Sequence, residues 1–206
     1  MNKIFPLTFL FVLSILTSSY GQKNNSAPDS VNILTIERVT NFGPEYDLIK
    51  PLVGNWEVTQ RVWTKPGGAP VTLPPYKASR KLTGHFLEEI MEPKPDSDVK
   101  PFTRLFYLNY NNANLQWESI VLDTRYPVMM FETSVGNAIE NGNTLTMYLP
   151  AFVMAPGWGD DLSGRLGKER RTIFFETNDK TVVKQYWTLP AGKEFLAIEY
   201  VYTRIK

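Results

Sequence analysis

The side chains best able to do chemistry in this sequence are grouped around one short turn. Arg80 and Glu89 stand on either side of Gly84-His85, in the stretch ASRKLTGHFLEEI. An arginine can hold a ligand carboxylate or sulfate through two parallel hydrogen bonds, or it can pair with an acid of the same protein. Glu89 and Glu199 are candidates for such an internal partner, and the sequence leaves both roles of Arg80 open.

Three further side chains are candidate bases. His85 is the only histidine of the chain, and Tyr200 and Tyr202 lie near its end. If Arg80 neutralised the carboxylate of a uronic-acid sugar, the histidine or one of the tyrosines could remove the adjacent proton and drive a β-elimination. The alternative for His85 is a hairpin-end residue without a chemical role, because strand alternation does not decide which way it faces.

Tryptophans in two loops are candidates for ligand contacts. Residues 150–167 form the longest segment predicted to be irregular, and a loop of that length in a compact domain commonly covers or binds a ligand. It contains Trp158 between two glycines, where a flat ring could meet a sugar, and Trp63 would wall the same opening. Asp160 and Asp161 lack the regular spacing of a calcium loop, so no metal site is predicted.

Short β-strands must position these side chains. Turn residues such as Asn141-Gly142 separate the apolar runs and tolerate the positive φ of tight hairpins. A meander of many antiparallel strands hides its edges when it closes, so the predicted fold is all-β, an up-and-down barrel of about ten strands with one short N-terminal helix from Pro44. The strands are predicted at residues 55–64, 76–83, 85–93, 102–110, 114–122, 128–135, 143–149, 169–176, 181–188 and 194–205.

The stretch LVGNWEV predicts how the barrel closes. Gly54 lets the backbone bend into the first strand, and Trp56 would plug the end of the barrel. Arg204, on the last strand, would stack on that ring. This Gly-x-Trp with a late arginine resembles the calycin arrangement of lipocalins and fatty-acid-binding proteins, which implies that the first and last strands are neighbours.

A narrower resemblance covers residues 45–206. The stretches LVGNW, RKLTGHFLEE and Tyr110-Asn111 with Asp123, followed by the closing Glu199, Tyr202 and Arg204, are similar to the DUF1579 family of bacterial extracytoplasmic proteins, near the nitrobindin-like barrels. The resemblance implies a barrel and no particular chemistry. Nitrobindin-type barrels hold haem through a histidine on a late strand, whereas His85 is on an early one, so no cofactor is predicted.

The first residues predict export. Lys3, the apolar run 4–16 and the small residues Ser19 and Gly21 are typical of a secretory signal peptide. We therefore expect a signal peptide at 1–21, a polar tether at 22–43, a single barrel domain at 44–206, a periplasmic or secreted location, and no stable membrane insertion after cleavage. The chain has no cysteine, so no disulfide is expected.

Charge excludes one class of partner and leaves three functions. Without residues 1–21 the chain has 21 basic and 21 acidic residues, which is not the basic excess that nucleic-acid binding needs. The leading hypothesis is capture of a small anionic or sugar-like ligand in the barrel mouth, through Arg80, Glu89 and the two tryptophans. The alternatives are a lyase or dehydratase acting on uronic-acid oligosaccharides, and a carrier of a hydrophobic ligand or haem. The sequence does not indicate an oligomeric state.

Overall fold

The structure is a computed structural model that describes residues 39–154, 163–189 and 192–206, except for the side chains of residues 127 and 128. A short helix, α1 (Pro44–Ile49), begins at a proline, whose fixed φ and missing N–H suit the first helical position. The 3₁₀ turn Lys50–Leu52 follows, and the chain then enters the first strand at Gly54. The single helix predicted from Pro44 is confirmed.

Twelve strands form one antiparallel sheet. Ten are long, and they confirm the ten strands predicted from alternation and turn residues. Two, β2 and β8, are two-residue strands that the sequence did not predict. The strands are β1 (Gly54–Val62), β2 (Val71–Thr72), β3 (Tyr76–Thr83), β4 (Phe86–Pro93), β5 (Arg104–Asn111), β6 (Gln116–Asp123), β7 (Tyr126–Thr133), β8 (Ile139–Glu140), β9 (Thr144–Val153), β10 (Leu166–Thr177), β11 (Lys180–Thr188) and β12 (Glu194–Arg204).

The sheet closes on itself. Consecutive long strands are neighbours, and β1 pairs with β12 so that Trp56 lies opposite Arg204 and Val62 opposite Ile198. The predicted up-and-down barrel is therefore confirmed, including the pairing of its first and last strands. We call the end that carries α1 the base and the opposite end the mouth.

The prediction of an irregular segment over residues 150–167 was wrong at both ends. β9 continues to Val153 and β10 begins at Leu166, and these two residues pair. Pro150 led the prediction astray, but it lies beside an irregularity in the β9–β10 register between Gly167 and Glu169, where a proline is tolerated in a strand. Trp158 lies outside the described residues.

The barrel interior changes character from base to mouth. Apolar side chains fill the base, charged side chains cross the middle, and a cavity occupies the mouth. The fully or almost fully buried apolar residues toward the base include Ile49, Leu52, Trp56, Leu87, Leu108, Trp117 and Leu145. None of the helices in the described part of the chain has the length and apolar character needed to cross a membrane.

Candidate functional site

The base is sealed around one arginine. The Arg204 guanidinium carbon lies 4.3 Å from the centroid of the Trp56 ring. Its Nη1 donates to the Val53 carbonyl at 2.7 Å, and its Nη2 donates to the Pro51 carbonyl. Gly54 has φ +135°, and a Cβ there would lie 2.6 Å from Arg204 Nη1, so only glycine allows the guanidinium to come this close. The contacts join the two ends of the barrel domain at one point.

The middle of the barrel contains an ion cluster centred on Glu89. Arg80 donates from Nε to Glu89 Oε2 at 2.7 Å, and Arg104 donates from Nη1 to Oε1 at 3.2 Å. The Tyr202 hydroxyl donates to the same Oε1 at 3.1 Å. Both arginines and the glutamate are buried, which makes this an internal network, and two arginines share one carboxylate.

A second buried cluster has the opposite stoichiometry, because one arginine contacts two carboxylates. Arg171 Nη1 lies 3.0 Å from Glu132 Oε2, and its Nη2 lies 3.2 Å from Glu169 Oε1. The Ser119 hydroxyl also donates to Glu132 Oε2, at 2.8 Å, and the Trp187 indole N–H donates to Glu169 Oε2, at 3.0 Å. Within the described residues, Glu132 Oε1 is buried and has no hydrogen-bond donor.

A proton held by Glu169 would give the Glu132 carboxylate a further donor. Burial, together with the neighbouring Glu132 carboxylate, raises the pKa of Glu169 to about 7 against the opposing effect of Arg171. A protonated Glu169 is within hydrogen-bonding reach of Glu132 and can donate to it. The second cluster is therefore electrically balanced when the two glutamates hold one proton between them.

A cavity of about 540 Å³ occupies the mouth. Polar side chains from both clusters and their surroundings reach it, and apolar side chains from the strand ends form most of the remaining lining. The polar lining includes Gln60, Arg104, Asp123, Arg125, Glu169, Gln185 and Tyr200. The apolar lining includes Val62, Val71, Leu73, Met129, Met130, Leu149, Phe152 and Ile198.

Two polar contacts organise this lining. Arg125 donates to both oxygens of Asp123, from Nε at 2.9 Å and from Nη2 at 2.6 Å, so that these two charges are paired with each other. Gln60 donates from Nε2 to the Tyr200 hydroxyl at 3.3 Å. Its other amide atom, Oε1, is buried and meets no donor among the described residues.

Arg104 is permanently charged at the boundary between the middle cluster and the cavity. Burial would lower its pKa, but Tyr200, Tyr202 and the carboxylates of Glu89 and Asp123 raise it above the ordinary value for arginine. For the Tyr200 and Tyr202 hydroxyls, burial has the opposite effect and raises the pKa. Raised values keep both phenols protonated at neutral pH, which suits hydrogen bonding better than proton abstraction.

The other predicted site residues lie in different places. Arg80 and Glu89 meet in the middle cluster, as described above. His85 is at the base, in the β3–β4 turn, where its ring stacks on Phe42 with 3.9 Å between centroids. Trp63 lies just beyond β1, with the Arg61 guanidinium 5.6 Å from its ring centroid. The catalytic roles of His85 and the tyrosines stay predictions.

The residues that the sequence analysis did not single out are Arg104, Glu132, Glu169 and Arg171. Each is a buried charged residue of a strand, and two of them alternate with buried apolar residues, Arg104 with Phe106 and Arg171 with Ile173. The sequence does contain a signal for such residues. A charged residue at a strand position where alternation calls for an apolar one points into the barrel, so it must meet a partner there. Among the described residues, no group of three or more metal-ligating side chains is arranged to hold a metal ion.

Comparison with known proteins identifies the family. The profile described as a protein of unknown function, DUF1579, matches residues 42–204, which include the whole barrel. The chain belongs to the DUF1579 family. The crystal structure of Rv2717c from M. tuberculosis resembles this DUF1579 chain with a TM-score of 0.51 at 15% identity, covering 81% of this chain and 100% of that one. That likeness supports the fold.

Two other comparisons add no argument about function. A redesigned β-barrel matches with a TM-score of 0.38 at 10% identity, covering 79% of this chain and 96% of that chain. No curated protein matches the chain.

Proposed function

We propose that this DUF1579 chain binds a small molecule with an anionic group in the mouth cavity, with Arg104 as the principal partner of that group. A volume of about 540 Å³ falls within the range of small-molecule sites. A mainly apolar lining with a few polar groups is typical of such sites and would bury the body of a ligand while fixing its orientation.

The observation that carries the proposal is the sharing of Glu89 by two arginines. Arg80 and Arg104 bring two positive charges to one carboxylate. Asp123, a buried acid that also lines the cavity, accepts from two donors of Arg125. The barrel interior therefore holds one positive charge more than its carboxylates neutralise when Glu132 and Glu169 share a proton. An anion beside Arg104 would complete the balance.

The sugar-like part of the hypothesis rests on the amide side chains of the cavity. Gln60 Oε1 is a buried acceptor with no donor in the described residues, and a ligand hydroxyl could supply one. Gln185 lines the same cavity. A ligand with one acid and one or more hydroxyl groups would therefore satisfy both the cation and the amides.

A pair of fluorescent probes tests the anionic requirement. Anilinonaphthalene sulfonate and phenylnaphthylamine share an aromatic body, and only the first has a negative group. Replacing Arg104→Gln should weaken sulfonate binding by about tenfold or more, since a hydrogen bond to a charged group is worth about 1.5–3 kcal/mol. Binding of the neutral probe should change little. Arg61→Gln, on the outer face of β1, is the matched control and should alter neither affinity.

The proposal fails if Arg104→Gln weakens both probes equally or neither of them. Equal weakening would mean that the substitution reshapes the cavity without removing a charge contact. Thermal unfolding of Arg104→Gln, measured beside the wild type, shows whether the variant keeps the fold while Glu89 retains Arg80 and Tyr202 as partners.

A second candidate function is proton transfer, favoured by Glu169. A carboxyl group with a pKa near 7 at the edge of a cavity is suited to act as a general base at neutral pH. With Arg104 neutralising a substrate carboxylate, Glu169 could remove the adjacent proton from a uronic-acid sugar. Incubation with uronic-acid oligosaccharides should then produce unsaturated rings that absorb ultraviolet light. Glu169→Gln should abolish that signal, and its absence from the wild type would exclude this candidate.

Export is also part of the proposal. The basic start, the apolar run and the small residues before Gln22 support removal of residues 1–21. Mass spectrometry of the protein recovered from the periplasm or the medium of an expressing bacterium should give a chain that starts at Gln22. An intact amino terminus in the cytoplasm would contradict it.

A further inference from the structure

The barrel wall is least continuous where β7 meets β9. The other neighbouring long strands pair through at least five residues each, as β1 does with β3 and β4 with β5. In the part of the chain that the structure describes, β7 and β9 pair at one position, Thr133 opposite Tyr148. From that position toward the mouth, the ladder that joins these two strands stops.

The mouth cavity reaches this discontinuity. Met129 and Met130 line it from β7, and Ala151 and Val153 line it from β9. These residues lie on the mouth side of the pair Thr133–Tyr148. The cavity is therefore bordered by both strands where no ladder hydrogen bonds hold them together.

The residues around the discontinuity are apolar and exposed. Met129 is 56% exposed, Phe131 60% and Val153 63%, and Leu166, which pairs with Val153, is 59% exposed. Isolated apolar residues on a protein surface need no explanation, but a group of them beside a cavity is typical of a path for an apolar ligand. Because β7 and β9 are less tightly joined here, an apolar chain can pass between them without breaking a ladder.

We infer that the ligand is a single-chain amphiphile, with a carboxylate or similar anion at Arg104 and an alkyl chain that leaves the cavity between β7 and β9. The inference rests on the proposed anionic site and extends it to a ligand class. The buried cation accounts for the head group, and the apolar lining continuing to an exposed apolar gap accounts for a chain longer than the cavity.

A series of straight-chain carboxylates tests the inference. Hexanoate, octanoate, decanoate, dodecanoate and tetradecanoate, each below its micelle concentration, are used to displace anilinonaphthalene sulfonate. Affinity should rise by about fourfold per methylene while the chain lies in the cavity, since each buried methylene is worth about 0.8 kcal/mol. It should then level off at the longer members, because their ends lie at the surface. A closed cavity would reject the longer members.

Substitutions that narrow the space between β7 and β9 should weaken the binding of long carboxylates and leave that of short ones unchanged. Ala151→Trp places a bulky ring at the cavity edge of β9 and should weaken the binding of tetradecanoate by about tenfold or more. Overpacking of this kind typically costs about 1–3 kcal/mol. Hexanoate, which fits inside, should keep its affinity. Met129→Trp tests the facing strand independently. Ala113→Trp, the same exchange at an exposed alanine in the β5–β6 turn at the base, is the matched control.

The outcomes distinguish the inference from the proposed function. Sulfonate binding that depends on Arg104, combined with rejection of dodecanoate and tetradecanoate, would overturn the alkyl path and leave the anionic site standing. Equal effects of Ala151→Trp and Met129→Trp on short and long chains would also overturn it. If no carboxylate displaces the probe and Arg104 has no effect, both the anionic site and the alkyl path are wrong.

Discussion

The two ends of the barrel use arginines differently. At the base, Arg204 stacks on Trp56, and its guanidinium donates to the carbonyls of Val53 and Asn178 and to the side chain of Asp179. Toward the mouth, Arg104 shares the carboxylate of Glu89 with a second arginine and borders a cavity. An arginine whose donors end on the protein's own oxygens closes a structure, whereas one with a shared counter-ion is suited to receive a ligand.

Two polar atoms, one at each end, show a similar contrast. The Trp56 indole N–H at the base donates to the Leu52 carbonyl at 2.9 Å. At the mouth, Gln60 Oε1 is buried without a donor in the described chain. A buried acceptor without a partner costs stability, and such costs are retained where a binding site uses the group. The protein thus satisfies the polar atom of Trp56 at the base, whereas it leaves the Gln60 acceptor at the mouth without a donor.

The largest expected effect on stability comes from a substitution in the base. Trp56→Ala should lower the free energy of unfolding by about 3–5 kcal/mol, because it removes a large, fully buried ring from the core. Denaturant unfolding measures the loss. Trp63→Ala, at a half-buried tryptophan outside the base, is the matched control and should cost less.

The coupling between Trp56 and Arg204 can be measured directly. In a double-mutant cycle with Arg204→Ala, the two losses should not add, because the guanidinium rests on the ring. Additive losses would show that the stack contributes nothing of its own to closure.

An intermediate effect on stability is expected from the pH dependence of the second buried cluster. Burial raises the pKa of Glu169 from 4.5 to about 7, so between those values the folded state holds a proton that the unfolded state has lost. This contribution to stability is complete below about pH 4.5 and is lost as the pH rises through 7. Urea unfolding across this range should show the free energy of unfolding falling with pH by a larger amount in the wild type than in Glu169→Gln.

The matched control for that experiment is Glu194→Gln, whose carboxylate lies on the surface and pairs with Arg170. It should keep the pH dependence of the wild type. If Glu169→Gln keeps it too, Glu169 does not carry the shared proton in the folded state.

The smallest effect on stability is expected at Gln60. Gln60→Met removes a buried acceptor that lacks a donor and a hydrogen bond to Tyr200 of 3.3 Å. The two changes oppose each other, so the free energy of unfolding should stay within about 1 kcal/mol of the wild-type value or rise. A loss as large as that of Trp56→Ala would mean that the mouth is as tightly specified as the base.

The sequence pattern was sufficient to predict the fold, because strands and turns are each specified by residues that are close together in the chain. Apolar and polar alternation predicted strands such as β3, and turn residues such as Asn141-Gly142 predicted where the chain reverses. The prediction failed at Pro150, because a proline looks like the end of a strand unless the strand is known to bulge at that position, as β9 does between Leu149 and Phe152.

The candidate site was predicted less completely because its members come from distant parts of the chain. Arg80 and Glu89 face each other across one hairpin, so their contact is close to a local property. Arg171 and Glu132 lie on β10 and β7, which are not neighbours in the sheet. Whether two such inward charges meet depends on the tilt and stagger of every strand around the barrel.

The sequence by itself determined the ten long strands, their order and the pairing of β1 with β12, because each follows from alternation, turn chemistry and the need to hide the sheet edges. Only the tertiary structure decided that Arg104 shares Glu89, that Glu169 and Glu132 share Arg171, and that β7 and β9 part near the mouth. The physical reason is that the position of a residue in its strand decides whether its side chain points into the barrel. The distances between side chains across the interior depend instead on how the whole barrel closes.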